Sequence, residues 1–117
     1  MTFEDLFYST LGPLFAGELY PFVADSLEAT PRPYAIYTDI GGTPVTSLCG
    51  GSSGPRNIVI QLNLWAETAK AAKALALEAE RIMTSAPLLG TARTNPIALW
   101  EETLRLYGYR QDVSFWV

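Results

Sequence analysis

The segment from Asn57 to Thr84 reads NIVIQLNLWAETAKAAKALALEAERIMT, and its hydrophobic period changes near the middle. From Asn57 to Trp65, apolar residues at even positions alternate with mostly polar residues at odd positions, as in a strand with one buried face. From Glu67 to about Thr84 the apolar residues follow helical spacing, and seven alanines between Ala66 and Ala79 favour a helix. The small residues on its inner stripe let this helix lie close against a sheet.

Four further elements flank this strand and helix. A helix starts after the cap-like pair Thr2 and Asp5 and ends at Gly12-Pro13. Three more strands are predicted, at Tyr34–Ile40, near Pro96–Glu101 and at Arg110–Val117. We therefore expect one α+β domain over residues 1–117: a mostly antiparallel four-stranded sheet with the N-terminal helix and the long alanine-rich helix packed on it.

The connection between the first two predicted strands, Gly41–Arg56, is unusually long and carries five glycines, two prolines and three serines. Links inside a compact domain are usually about 4–6 residues, so a link of this length usually serves a function or is disordered. It also contains Val45 and Leu48, apolar residues that a purely solvated linker does not need. We expect it to dock on a partner protein; the alternative is a long hairpin folded over its own sheet.

Composition excludes several classes of function. The 117 residues include no histidine and one cysteine, which removes histidine-based catalytic and metal sites and any internal disulfide. No apolar run is long enough to span a membrane, and the N-terminus carries acid where a signal peptide needs base. The net charge of −4 disfavours affinity for nucleic acid. This composition disfavours an ordinary enzyme.

The candidate chemical sites have plainer interpretations. The glycine-rich stretch Ser47–Gly54 lacks the lysine of a phosphate-binding loop and precedes a strand rather than a helix. Cys49 has no histidine to activate its thiol. The acid pairs Glu101–Glu102 and Glu78–Glu80 diverge from each other in a strand or a helix, so both are expected at the solvated surface.

Three apolar residues fall at positions that the periodicity assigns outward: Val59 and Trp65 on the strand, and Leu77 on the helix. Single exposed apolar residues are common, but a shared surface would favour an oligomer. Together with Val45 and Leu48, they are the candidate subunit or partner interface.

The order of motifs resembles the tail-completion, or tail-terminator, family of long-tailed bacteriophages and gene transfer agents. The motifs, in chain order, are ELYPFVA at 18–24, RPYAIY at 32–37, Arg56 leading into QLNLWA at 61–66, Thr68 and Ala72 in the alanine-rich helix, and DVSFW at 112–116. Two positions depart from the family pattern: Asp25 replaces a frequent proline, and Asn63 replaces a common aspartate.

The resemblance implies a structural virion protein, with no enzyme activity and no cofactor. Members of this family form a ring, usually of six subunits, on the head-proximal end of the tail tube. The ring ends tube growth and presents a joining surface to the connector (stopper) protein of the head. Genomic DNA would pass through the lumen without specific binding, which an acidic lining suits. The protein would be made in the bacterial cytoplasm. A small oligomeric α+β module that binds a ligand or regulates is the alternative.

Overall fold

The computed structural model describes residues 2–22, 32–41 and 56–116. Its elements, in chain order, are helix α1 (Phe3–Leu11), a 3-10 helix (Gly12–Phe15), strands β1 (Leu19–Pro21), β2 (Tyr34–Asp39) and β3 (Asn57–Ala66), helix α2 (Ala69–Thr84), and strands β4 (Thr91–Ala92), β5 (Ile97–Glu101) and β6 (Leu106–Trp116). The strand predicted at Asn57–Trp65 and the helix predicted from Glu67 to about Thr84 are thus confirmed, as β3 and α2. The connection Gly41–Arg56 lies outside the described residues except at its two ends.

The sheet runs in the order β1-β2-β3-β6, with β4 and β5 both beside β6 on its far side. β1 is parallel to β2, and every other pair is antiparallel. The α+β class is confirmed, but the described sheet has six strands rather than the four that the sequence predicts. The two additional strands, β1 and β4, contain three and two residues, too few for an alternation to be recognised.

Both helices cover the same face of the sheet. α1 begins with a capping box, in which the Asp5 N–H donates to Thr2 Oγ1 at 3.2 Å and the Thr2 N–H donates to Asp5 Oδ2 at 3.3 Å. α2 begins after Thr68, whose Oγ1 accepts a hydrogen bond from the Ala71 N–H at 3.1 Å. Each cap stabilises its helix by about 1 kcal/mol relative to alanine, so the sequence itself fixes where the two helices start.

The main core lies between this helical layer and the sheet. α2 presents four small or flexible buried residues to the strands: Ala72, Ala76, Ala79 and Met83. α1 contributes Phe7, whose ring lies 5.0 Å from that of Tyr37 on β2 and 6.0 Å from that of Phe115 on β6. Burying one such aromatic side chain contributes about 1.5–3 kcal/mol, so α1 is held to two strands at once. None of the helices in the described part has the length and hydropathy needed to cross a membrane.

Candidate interaction surface

The sheet has a second face, on which the described part of the chain places no helix. Side chains alternate along each strand, so the residues next to the core residues of β3 and β6 point to this open face. On these two strands it carries Asn57, Val59, Gln61, Asn63, Trp65, Leu106, Gly108, Arg110, Asp112, Ser114 and Trp116. The open face is thus polar in its middle and apolar towards each end.

The polar middle is organised by side-chain hydrogen bonds. Gln61 Nε2 donates to Asp112 Oδ1 at 3.3 Å, and Asn63 Nδ2 donates to Gln61 Oε1 at 3.4 Å. An adjoining open depression of about 340 Å³ is lined by Ile40, Gly41, Val59, Arg93, Thr94 and Asp112. One arginine and one aspartate give this depression no strong preference for either sign of ligand charge. The middle of the open face has the character of a contact surface rather than of a reaction site.

One end of the open face forms a small second apolar cluster around Tyr34, which is only 1% exposed. Leu106 is buried on the same face, and the Trp65 ring lies directly over Gly108. Burial raises the pKa of Tyr34, the nearby Arg32 guanidinium lowers it, and the Glu101 carboxylate raises it. The hydroxyl is therefore held as a neutral phenol.

A hollow of about 270 Å³ opens beside this cluster, and its lining includes Phe22, Trp65 and Leu104. Phe22 lies at its rim with 68% of its side chain exposed. The hollow is wide enough for one or two apolar side chains of a partner protein.

Exposed aromatic residues also mark the β5–β6 hairpin. Trp100 is 52% exposed and its ring lies 4.7 Å from that of Tyr107, which is also exposed. Ile97, at the start of β5, is exposed as well. Trp and Tyr are enriched at protein interfaces, so this hairpin is a candidate contact. Ile97 and Trp100 could not be recognised as contact candidates from the sequence, because β5 is apolar at four successive positions and shows no alternation that separates a buried from an exposed face.

The structure separates the predicted interface residues. Trp65 lies half-buried on the open face, and Val59 faces the same way but is only 6% exposed. Leu77 lies on α2, on the opposite side of the sheet, and is 53% exposed. The three therefore do not share one surface, although a role for each in a contact stays a prediction. Val45 and Leu48 lie outside the described residues, as does Cys49.

Val59 is buried although the alternation assigns it outward, and Ile40, which follows β2, lies beside it as its cross-strand neighbour. The Ile40 N–H donates to the Val59 carbonyl at 2.9 Å, and the Val59 N–H donates to the Gly41 carbonyl at 2.6 Å. The alternation correctly gives the face to which Val59 points, but a side chain on the face without helices can still be covered by a neighbouring segment.

Three of the four acids in the predicted acid pairs form hydrogen bonds or an ion pair within the protein. Glu78 forms an exposed ion pair with Arg81, and the hydrogen bond from Arg81 lowers the pKa of the Glu78 carboxyl. Glu80 Oε1 accepts a hydrogen bond from Gln111 Nε2 at 2.7 Å, which joins α2 to β6. Glu101 Oε1 accepts from the Thr103 N–H at 3.1 Å within the hairpin turn. Within residues 2–22, 32–41 and 56–116, no group of three metal-binding side chains comes together.

Comparisons with known proteins agree with this architecture. A model of the family described as tail completion protein gp17 matches residues 15–116. The solved structure of the bacteriophage SPP1 gp17 protein superposes with a TM-score of 0.52 at 17% sequence identity, covering 97% of this chain and 87% of that chain. At this identity the likeness concerns the fold. A comparison with curated proteins found no match.

Proposed function

This chain belongs to the tail completion protein gp17 family, and we propose that it forms a ring that caps the head-proximal end of the phage tail tube. The family match over residues 15–116 carries the proposal, because it spans α2 and all six strands of the described fold; only α1 and most of the 3-10 helix precede it. Membership makes the chain a structural component of the virion tail. The ring, its position and its joining role are our proposal.

The proposed ring has two protein partners. One face contacts the last ring of the tail tube protein and stops further growth, and the other contacts the connector (stopper) protein of the head. A homohexamer is the assembly that the family resemblance implies. The wide, shallow hollows and exposed aromatic residues of the described surface suit contacts with other proteins.

The lumen of the ring would conduct the genomic DNA without binding it. In residues 2–22 and 32–41, four acids (Glu4, Asp5, Glu18 and Asp39) outnumber the single base, Arg32. Affinity for DNA depends largely on neutralising phosphates with lysine and arginine, so a surface with this balance lets DNA slide.

A null allele tests the proposal. A nonsense codon early in the gene should give heads without tails and free tails of irregular or excessive length, both visible by negative-stain electron microscopy. The wild-type gene supplied from a plasmid should restore joined particles. Micrographs of these complemented tails should show an added ring at one end only. Tails of normal length joined to heads in the null mutant would contradict the proposal.

A further inference from the structure

Within residues 2–22, 32–41 and 56–116, no strand pairs with the outer edge of β5. The Arg93 N–H donates to the Asp112 carbonyl at 2.8 Å, so even-numbered residues of β6 turn their backbone groups towards β4 and β5. The register places Leu99 opposite an even-numbered residue of β6, so the odd-numbered residues of β5 bond to β6. Ala98 and Trp100 therefore direct their N–H and C=O groups away from the sheet.

β5 lacks most of the features that usually protect a free edge, although Glu101 at its end is charged and Pro96 precedes it. The five residues of β5 include no proline, no lysine and no bulge, and the side chains of Ala98 and Trp100 are exposed. Natural proteins block free edges with such features because an open edge is a template for another strand. An edge left open in this way is suited to receive a strand from a partner.

The opposite edge of the sheet is β1, a shorter strand of three residues that ends in Pro21. The Glu18 carbonyl and the Phe22 N–H bond to β2 at 2.9 and 3.0 Å, so even-numbered residues here face the sheet. Leu19 turns its N–H and C=O outward, whereas Pro21, which has no N–H, turns only its C=O outward, and among the described residues no strand lies beyond β1. β1 thus offers one N–H and two C=O groups to a strand of another copy, so pairing with Ala98 and Trp100 of β5 can form three hydrogen bonds, with Pro21 only accepting.

The strand directions make these two edges compatible. β1 is parallel to β2, and each of the steps from β2 to β3, to β6 and to β5 is antiparallel, so β1 and β5 run in opposite directions. A neighbouring copy in the same orientation would bring its β1 alongside β5 as an antiparallel pair, the more stable type of ladder. We propose that the sheet continues from copy to copy in this way, with β5 of one subunit paired to β1 of the next. This proposal rests on the proposed ring.

Charge favours this head-to-tail pairing over a two-fold contact. In residues 2–22 and 32–41, which form α1, β1 and β2, acids outnumber bases four to one, whereas the segment 91–116 carries three arginines and three acids. Pairing β1 with β1 would place two acidic surfaces together, and pairing β5 with β5 would stop at a dimer with both β1 edges open. Pairing β5 with β1 joins an acidic side to a balanced one, and a contact between two different patches can close into a ring.

A proline at Ala98 tests the pairing. Ala98→Pro removes an outward N–H and leaves the β5–β6 hydrogen bonds in place. We expect a folded subunit, by circular dichroism and thermal melting, whose association weakens about tenfold per contact and which is missing from the ends of purified tails. The control Ala98→Thr keeps the N–H and should assemble as the wild type does. Ring assembly by a folded Ala98→Pro protein would overturn the pairing.

Cross-linking tests the pairing of β5 with β1 even if the Ala98→Pro protein fails to fold. In tails carrying Cys49→Ser, the double variant Pro21→Cys/Trp100→Cys and a short bismaleimide should give a ladder of covalent multimers beyond the dimer. Each single variant should give none. Dimers from Trp100→Cys alone, or no multimers from tails that show the ring in micrographs, would refute the β5–β1 pairing while leaving the ring intact. Tails without any ring would instead refute the proposed function.

Discussion

Gly108 is the residue at which the sheet leaves no room for a side chain. A Cβ built there would lie 2.5 Å from the Leu64 carbonyl oxygen and 2.5 Å from Cε3 of Trp65. The first neighbour is backbone in the adjacent strand and cannot move without distorting the ladder. The Trp65 ring is thus seated on the open face because position 108 is glycine, and this contact links β3 to β6 on the side away from the helices.

Gly108→Ala should therefore lower the free energy of unfolding by about 1–3 kcal/mol, as overpacking usually does. Gly12→Ala is the matched control, because its Cβ would meet only the Tyr8 ring, at 3.7 Å, and its backbone is already helical. That substitution should leave stability close to that of the wild type, because the reduced freedom of the unfolded chain is offset by the restriction that Pro13 places on a helical residue before it. Urea unfolding followed by tryptophan fluorescence measures both. Equal stability of Gly108→Ala and the wild type would show that Trp65 is not seated on Gly108.

Tyr34 links the apolar end of the open face to the pH dependence of stability. Burial raises its pKa above the ordinary 10.0, and burial also raises the pKa of Tyr37, with Glu4 and Asp5 acting in the same direction. A raised folded-state pKa gives stability that is fully present below pH 10 and is lost as the pH rises further, because the unfolded phenol ionises first.

Removing the phenol groups should reduce the loss of unfolding free energy at high pH. We expect Tyr34→Phe to lose less unfolding free energy than the wild type between pH 8 and pH 11, and Tyr34→Phe/Tyr37→Phe to lose less still. Urea denaturation at the two pH values measures the difference. A loss of the same size in all three proteins would indicate that neither phenol is held neutral by the fold.

At the scale of elements, the sequence predicts what is long and periodic. β3 and α2 are found where the alternation and the alanine-rich helical pattern place them, and Thr2 and Thr68 start the two helices. β1 and β4 could not be predicted, since pairing with a neighbour defines them and their own sequences are too short. The inner stripe of α2 was predictable because burial on a helix follows a fixed period.

The contact surface was predictable only in part. The exposure of Leu77 follows from helix phase, whereas the open edge at Ala98 and Trp100 depends on which strand takes the last place in the sheet. The order of strands in the sheet is set by tertiary packing, and the hydrophobic pattern of β5 alone does not encode it. The covered position of Val59 has the same origin, since a segment distant in the chain runs beside it.

At the scale of the whole molecule, Leu77 lies on the flank of α2 that faces the β5 edge. Glu80, three residues on and therefore on the same side of the helix, accepts its hydrogen bond from Gln111 of β6. Glu80 and Gln111 thus show which flank of α2 is turned towards β4 and β5. A subunit paired to β5 would cover part of this flank, so the proposed ring gives a reason for a leucine that is 53% exposed.

Leu77→Glu should accordingly leave the monomer folded and weaken ring assembly, since a charge would be buried at the contact without a partner. Ala71→Glu is the control, because Ala71 is also exposed on α2 but six positions away, on a different side of the helix. We expect the Ala71→Glu protein to assemble normally and the Leu77→Glu protein to fail at the same concentration, as measured by native mass spectrometry and by occupancy on purified tails. Unfolding of Leu77→Glu would place the residue in the core and contradict the helix phase. Normal assembly of Leu77→Glu would move the contact off this flank and restrict it to the strand edges, where Ala98→Pro tests it independently.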